Sequence, residues 1–161
     1  MDGTNKKNLE KVDTRGKEVK ILTIPAGTTG QIQPLDVYGF RPWKNFVKHF
    51  SDSVILYDFE VNLHLRNNIL KLQSVTHNQL SSPRFINLFK YGWYKSGYIL
   101  EKPPKCDTPV AYCFKSCDTV CHYCGDNAFF RCAWCTKFMC FEHFFDPRNE
   151  SSPHYCQNYE Q

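Results

Sequence analysis

Apolar side chains recur along this chain in two rhythms, and towards the C-terminus both give way to cysteine. Val19-Lys20-Ile21-Leu22-Thr23-Ile24 is β-branched and lies between Gly16 and Pro25, which predicts a strand. Val37, Phe40, Trp43, Phe46, Val47 and Phe50 then recur every three or four residues and predict a helix with one apolar face. Pro42 lies inside that stretch without an amide proton, so the helix should kink or restart near Arg41. Val61, Leu63, Leu65, Ile69, Leu70, Leu72 and Val75 predict a second helix over residues 61–77. In Ser81-Ser82-Pro83 a serine can cap a third helix with proline at its first position, and that helix should run from Pro83 to Tyr94. Phe85, Ile86, Leu88, Phe89 and Trp93 are its apolar positions, while Gly92 and Gly97 weaken its far end.

The segments around these elements divide the chain. Residues 1–18 are polar and read as a loop, and residues 19–100 hold the strand and the three helices. Residues 101–117, opening on Glu101-Lys102-Pro103-Pro104-Lys105, read as a linker into a module over residues 118–161. Charge follows the same division: residues 1–105 carry 16 Lys+Arg against 9 Asp+Glu, a balance of +7, whereas residues 106–161 carry 4 against 7, or −3. Attraction for phosphate by bulk charge therefore belongs to the first part. Arg41, Lys44 and Lys48 on the first helix, and Arg84, Lys90 and Lys95 around the third, are its candidate nucleic-acid contacts. The second group interleaves with Phe89, Tyr91, Trp93 and Tyr94, whose rings could stack on bases. An amphipathic helix with aromatics in the core and lysines in water explains the same pattern. No apolar run approaches membrane-spanning length, so no membrane partner is expected.

The most specific chemistry lies in residues 121–143. Cys121-x-x-Cys124, Cys132-x-x-Cys135 and Cys140-x-x-His143 follow one another there, with His154 and Cys156 beyond them. Thiolates and imidazoles at these spacings can converge on one small cation, which predicts structural zinc. Disulfides are the competing reading. Against them, 9 cysteines is an odd number, and Met1 is followed by a polar stretch with no apolar secretion-signal core, which favours a reducing compartment. Four successive pairs suit an interleaved cross-brace, in which pairs one and three share one ion and pairs two and four the other. Cys121, Cys124, Cys140 and His143 would then hold one zinc, and Cys132, Cys135, His154 and Cys156 the second. Cys106, Cys113 and Cys117 are left over and read as ordinary buried thiols. Phe129, Phe130, Trp134, Phe138, Met139, Phe141, Phe144 and Phe145 exceed what so small a module can bury, so part of this set is expected to form an interaction surface.

One strand ahead of three helices has nothing with which to pair its backbone, so an α/β domain lacking its opening strands is expected. Ile24-Pro25-Ala26-Gly27-Thr28-Thr29-Gly30-Gln31-Ile32-Gln33-Pro34-Leu35-Asp36 resembles the PPxTT-x-x-x-QPLD signature of DDE-superfamily transposases of the pogo/Tigger type, and Phe40-x-Pro42-x-Lys44 continues the register. The resemblance implies a partial RNase H-like fold over residues 19–97. It also matches Asp36 to the third catalytic carboxylate, which in an intact family member holds divalent metal for DNA strand cleavage and transfer. Such two-metal chemistry needs several converging carboxylates. Asp2, 34 positions before Asp36, could match the second acid but has no preceding strand to hold it, and the first acid has no candidate. The expectation is an inactive remnant of a transposase rather than an enzyme, with helix capping as a sufficient role for Asp36.

The ligand order of residues 121–156 resembles the cysteine-rich domain of piggyBac-type transposases and also MYND fingers. It departs from the first at His154-x-Cys156 and from the second at Cys140-x-x-His143. Together these readings lead to a transposon-derived nuclear protein that binds DNA through its basic part and carries two structural zinc ions. The alternative is a zinc-dependent interaction module that engages a peptide partner.

Overall fold

The structure, a computed structural model, describes residues 26–28, 33–145, 154 and 156. The strand expected over residues 19–24 and Asp2 lie outside the described residues. Helix α1 spans Phe40–Leu56 and is entered through a π-helical turn, Leu35–Gly39, in which the Phe40 amide donates to the Leu35 carbonyl. Pro42 has no amide to give the carbonyl of Tyr38, so the regular ladder cannot run unbroken through this point, and the wider turn lies just ahead of it. The regular helix thus starts beside Arg41, where a restart was expected, and buries Pro42, Phe46, Phe50 and Val54.

The second helix corrects the sequence reading. Helix α2 spans Arg66–Leu80, not residues 61–77. Val61 and Leu63 pack against the core from an irregular segment, and the Asn68 side-chain amide donates to the Asn62 carbonyl at 2.8 Å to close that segment onto the helix. The apolar pattern misled because α2 buries polar side chains, Asn68, Thr76 and Gln79, while Ile69 and Leu70 face solvent. Thr76 satisfies its hydroxyl by donating to the Leu72 carbonyl at 2.7 Å.

Helix α3, Ile86–Lys95, follows a 3-10 turn at Pro83–Phe85, and the Ser82 hydroxyl accepts from the Arg84 amide as the cap requires. Gly97 lies at φ 79° and closes the helix with two hydrogen bonds of 3.0 Å, from its own amide to Tyr94 and from the Tyr98 amide to Trp93. Gly92 is a packing requirement rather than a weakness. A β-carbon there would stand 3.2 Å from the Pro34 carbonyl oxygen and 3.3 Å from Tyr38 Cβ, so its absence lets the π turn rest directly on α3.

Within the expected linker, Pro109–Cys113 forms helix α4, capped by Thr108, whose hydroxyl accepts from the Ala111 amide at 3.1 Å. Tyr112 and Cys113 belong to the hydrophobic core. The remaining elements are strands β1, Phe130–Arg131, and β2, Phe138–Met139, followed by the short helix α5, Phe141–Phe144. The strands pair antiparallel, with Phe130 opposite Met139 and Arg131 opposite Phe138.

The aromatic side chains of residues 129–145 turn inward onto α1. The Phe50 ring lies 5.4 Å from that of Phe129 and 4.7 Å from that of Phe145, and Phe46 stands edge-on to Phe130 at 6.0 Å. Phe130 stacks on Phe144 at 3.7 Å, and Phe59 on Phe141 at 4.1 Å. Phe129, Phe130, Phe141, Phe144 and Phe145 are buried. The surplus expected to form a surface is therefore mostly core, because α1 supplies the apolar partner that the Cys/His segment lacks on its own. One hydrophobic cluster runs through both parts of the chain.

Candidate metal centres

Each Cys-x-x-Cys pair sits in a tight hairpin whose backbone aims the sulfurs to one side. In the first, the Gly125 amide donates to the Cys121 carbonyl at 3.1 Å with Gly125 at φ 83°. In the second, the Thr136 amide donates to the Cys132 carbonyl at 3.0 Å with Thr136 at φ 65°. Both turns therefore place the residue after the second cysteine in the left-handed region. Cys140 precedes α5 and His143 lies on it, so one helical turn presents the third pair. The His122 amide donates to the Phe138 carbonyl at 2.9 Å, which locks the first hairpin to β2, and its ring is exposed outside both ligand sets.

The side chains gather as the cross-brace requires. Cys121, Cys124, Cys140 and His143 form one group and Cys132, Cys135, His154 and Cys156 another, with the ligand atoms of each group all within 4.8 Å of one another. Around a tetrahedral zinc with Zn–S near 2.3 Å and Zn–N near 2.0 Å, neighbouring sulfurs stand about 3.8 Å apart, and sulfur and nitrogen about 3.5 Å. In the first group Cys124 Sγ and Cys140 Sγ are 3.6 Å apart, and His143 Nδ1 lies 3.7 Å from Cys121 Sγ and 3.1 Å from Cys140 Sγ. In the second, His154 Nε2 lies 3.4 Å from Cys135 Sγ. The donor sets and spacings fit a small tetrahedral cation, and all 9 cysteines are free thiols. Burial disfavours the Cys121 thiolate, but the amides of Cys140, Tyr123 and Cys124 point at the sulfur and bring its pKa below the ordinary value.

Residues that the ligand spacing could not reveal support these groups. Tyr123 joins the two sites: its ring stacks on His143 at 5.4 Å, and its hydroxyl lies 3.2 Å from His154 Nδ1. With a metal ion on Nε2, His154 would carry its proton on Nδ1 and donate it to the Tyr123 hydroxyl, which would fix the ring. Gln79, fully buried at the end of α2, accepts from the Ala133 amide at 2.7 Å and offers its Nε2 to Cys132 Sγ at 3.7 Å. Trp134 donates from its indole to the Asn78 carbonyl at 2.7 Å, and the Ser82 hydroxyl to the Ala133 carbonyl at 3.0 Å. The end of α2 thus grips the Cys132–Cys135 hairpin by its backbone.

The remaining candidates are dispersed. Asp36 is exposed in the first turn of the π helix rather than ahead of the helix, makes no side-chain cap there, and belongs to neither metal-capable group among the described residues. Arg41, Lys44 and Lys48 are exposed along α1, with Lys48 paired to Asp52. Arg41 and Lys48 border a groove of about 540 Å3 that Pro109 and Val110 also line. Lys90 and Lys95 are exposed on α3. Arg84 instead serves the fold, since its Nε donates to the Ala133 carbonyl at 3.4 Å and its guanidinium lies 4.1 Å from the Tyr112 ring centre. Arg131 covers the same ring at 3.8 Å and donates to the Tyr112 carbonyl. Cys113 is buried, and that burial pushes its thiol well above the ordinary value. Cys106 and Cys117 are half-buried, and none of the three joins a metal-capable group among the described residues. Nor is any helix among the described residues long and apolar enough to cross a membrane.

Comparison with known families adds one match. Residues 93–156 match the family model of the Tc5 transposase C-terminal domain, a stretch that runs from α3 through both ligand groups. No curated protein and no solved structure matches the chain significantly. The match supports a transposase-derived protein whose C-terminal segment brings together two groups of side chains able to hold metal ions.

Proposed function

We propose that this chain is a transposon-derived nuclear protein that binds DNA through its basic helical part, with two structural zinc ions holding its C-terminal segment. The observation that carries the reading is the match of residues 93–156 to a transposase C-terminal domain, which encloses all the ligands of both groups. Zinc is the metal of choice because each group offers three thiolates and one imidazole, a soft set that hard cations such as magnesium bind poorly. Four protein ligands close the coordination shell, so such ions would supply folding energy and leave no position for a substrate.

The finer assignment to the pogo/Tigger branch of the DDE superfamily rests on the residue 24–36 signature, and with it comes the proposal that the chain is catalytically incomplete. Asp36 is one carboxylate, and strand transfer by two metals requires several on the same ions. Exposed Arg41, Lys44 and Lys48 on α1, with Lys90 and Lys95 on α3, are the groups proposed to meet phosphate. Arg84 is removed from that set, because its guanidinium is engaged within the fold.

Binding of a labelled DNA duplex by the full chain, titrated with salt, tests this reading. Affinity should fall linearly on a log–log plot, and replacing Arg41 and Lys44 with glutamine should lower the slope by about one for each charge. Absent or salt-independent binding would sink it. The same duplex should stay uncut when magnesium is added, and cleavage that depends on Asp36 would overturn the claim of incompleteness.

A further inference from the structure

A second hollow, of about 1040 Å3, lies between the end of α1 and the first Cys/His group, and neither zinc nor DNA accounts for it. Its floor is aromatic. Phe59 stacks on Phe141 at 4.1 Å, and Phe129 stands edge-on to Phe59, Phe114 and Phe141 at 5.4, 5.9 and 5.5 Å. Rings locked in this way hold the floor in one shape. Tyr57 and Val120 border it and remain 63% and 59% exposed, so large apolar surface faces water beside an already formed concavity.

The charge of the walls is one-sided. Glu60, Asp118, Asp126 and Glu142 contribute carboxylates, and no Lys or Arg is among the described residues that line the hollow. Such walls repel phosphate, which separates this hollow from the Arg41–Lys48 side of α1; His49 borders both grooves. A volume at or above the roughly 300–1,000 Å3 of small-molecule sites suits several residues of extended chain rather than one side chain.

We infer that this groove binds a short basic peptide segment of a partner protein. Its arginine or lysine side chains meet the carboxylates of Asp118, Glu142 and Glu60, and its apolar side chains cover Tyr57 and Val120. A guanidinium entering over the aromatic floor gains both the opposite charge of the walls and the face of a ring.

The full chain, purified with zinc, is mixed with fluorescent pools of short degenerate peptides that carry fixed arginines or, as the control, fixed glutamates. The arginine pool should bind in preference, and Asp118→Asn combined with Glu142→Gln should weaken it about tenfold, the loss expected for two partly exposed charge pairs. DNA affinity and its salt slope should stay as in the parent chain. Zinc content and thermal unfolding report whether the double variant keeps its fold, and Glu60→Gln, remote from the metal ligands in sequence, provides an independent variant with the same expected direction. Equal binding of the arginine and glutamate pools, or unaltered arginine-peptide binding by both well-folded variants, would overturn the inference. Self-association abolished by the same substitutions would place a second copy of this chain in the groove and equally overturn the assignment to a partner.

Discussion

Gln79 joins two regions that lie more than fifty residues apart in sequence, and it does so with both ends of one amide. Its oxygen takes the Ala133 amide proton and its nitrogen faces the sulfur of Cys132, while the side chain itself is 1% exposed. Replacing it with leucine keeps the volume but leaves the buried Ala133 N–H without an acceptor, at a cost of about 1–3 kcal/mol. Gln79→Leu should therefore unfold at lower denaturant concentration and release one metal ion to a chelator faster than the other. Unaltered stability and release would show that the contact does not matter. The metal-capable groups were legible in the sequence because a Cys-x-x-Cys hairpin is a local device: its spacing lets both sulfurs face one side. The pairing of the first hairpin with Cys140 and His143, and of the second with His154 and Cys156, followed from ligand order and is the grouping found. Gln79 and Tyr123 were not legible, because their roles depend on neighbours brought close only by the fold.

The elements differ in how well their periodicity spoke. Helices α1 and α3 carry strong local signals, an aromatic face in one and a Ser-Pro start in the other, and both lie close to where those signals put them. Helix α2 lies further along the chain than its periodicity predicts, because its buried face mixes Asn68, Thr76 and Gln79 with Leu72, Val75 and Leu80, and the apolar residues ahead of it serve an irregular segment. The short helix α4 was hidden inside a proline-rich run that reads as linker. Helix α1 is the element on which the two parts converge, through Phe46 and Phe50. Truncating Phe50 to alanine removes a fully buried ring among four phenylalanines and should cost about 3–5 kcal/mol in chemical denaturation. It should also speed metal loss to a chelator, although Phe50 is not itself one of the candidate ligands. A separately folded Cys/His module would show no such change in metal release.

At the scale of the whole molecule, the two signs of charge are divided between the two parts of the chain. The basic balance of residues 1–105 and the acidic balance of residues 106–161 were plain in the sequence, but their spatial consequence was not. The aromatic surplus of the C-terminal segment packs largely against α1, and acidic side chains of that segment help form a groove beside the same helix. Metal binding, core formation and presentation of the basic face should therefore be one folding event. Native mass spectrometry of the intact chain, before and after a chelator, tests that unity most directly. The predicted result is a mass increased by two zinc ions, both lost on chelation together with the tertiary signal of α1. A metal-free mass in a folded chain, or disulfides in place of the Cys-x-x-Cys thiols, would contradict it.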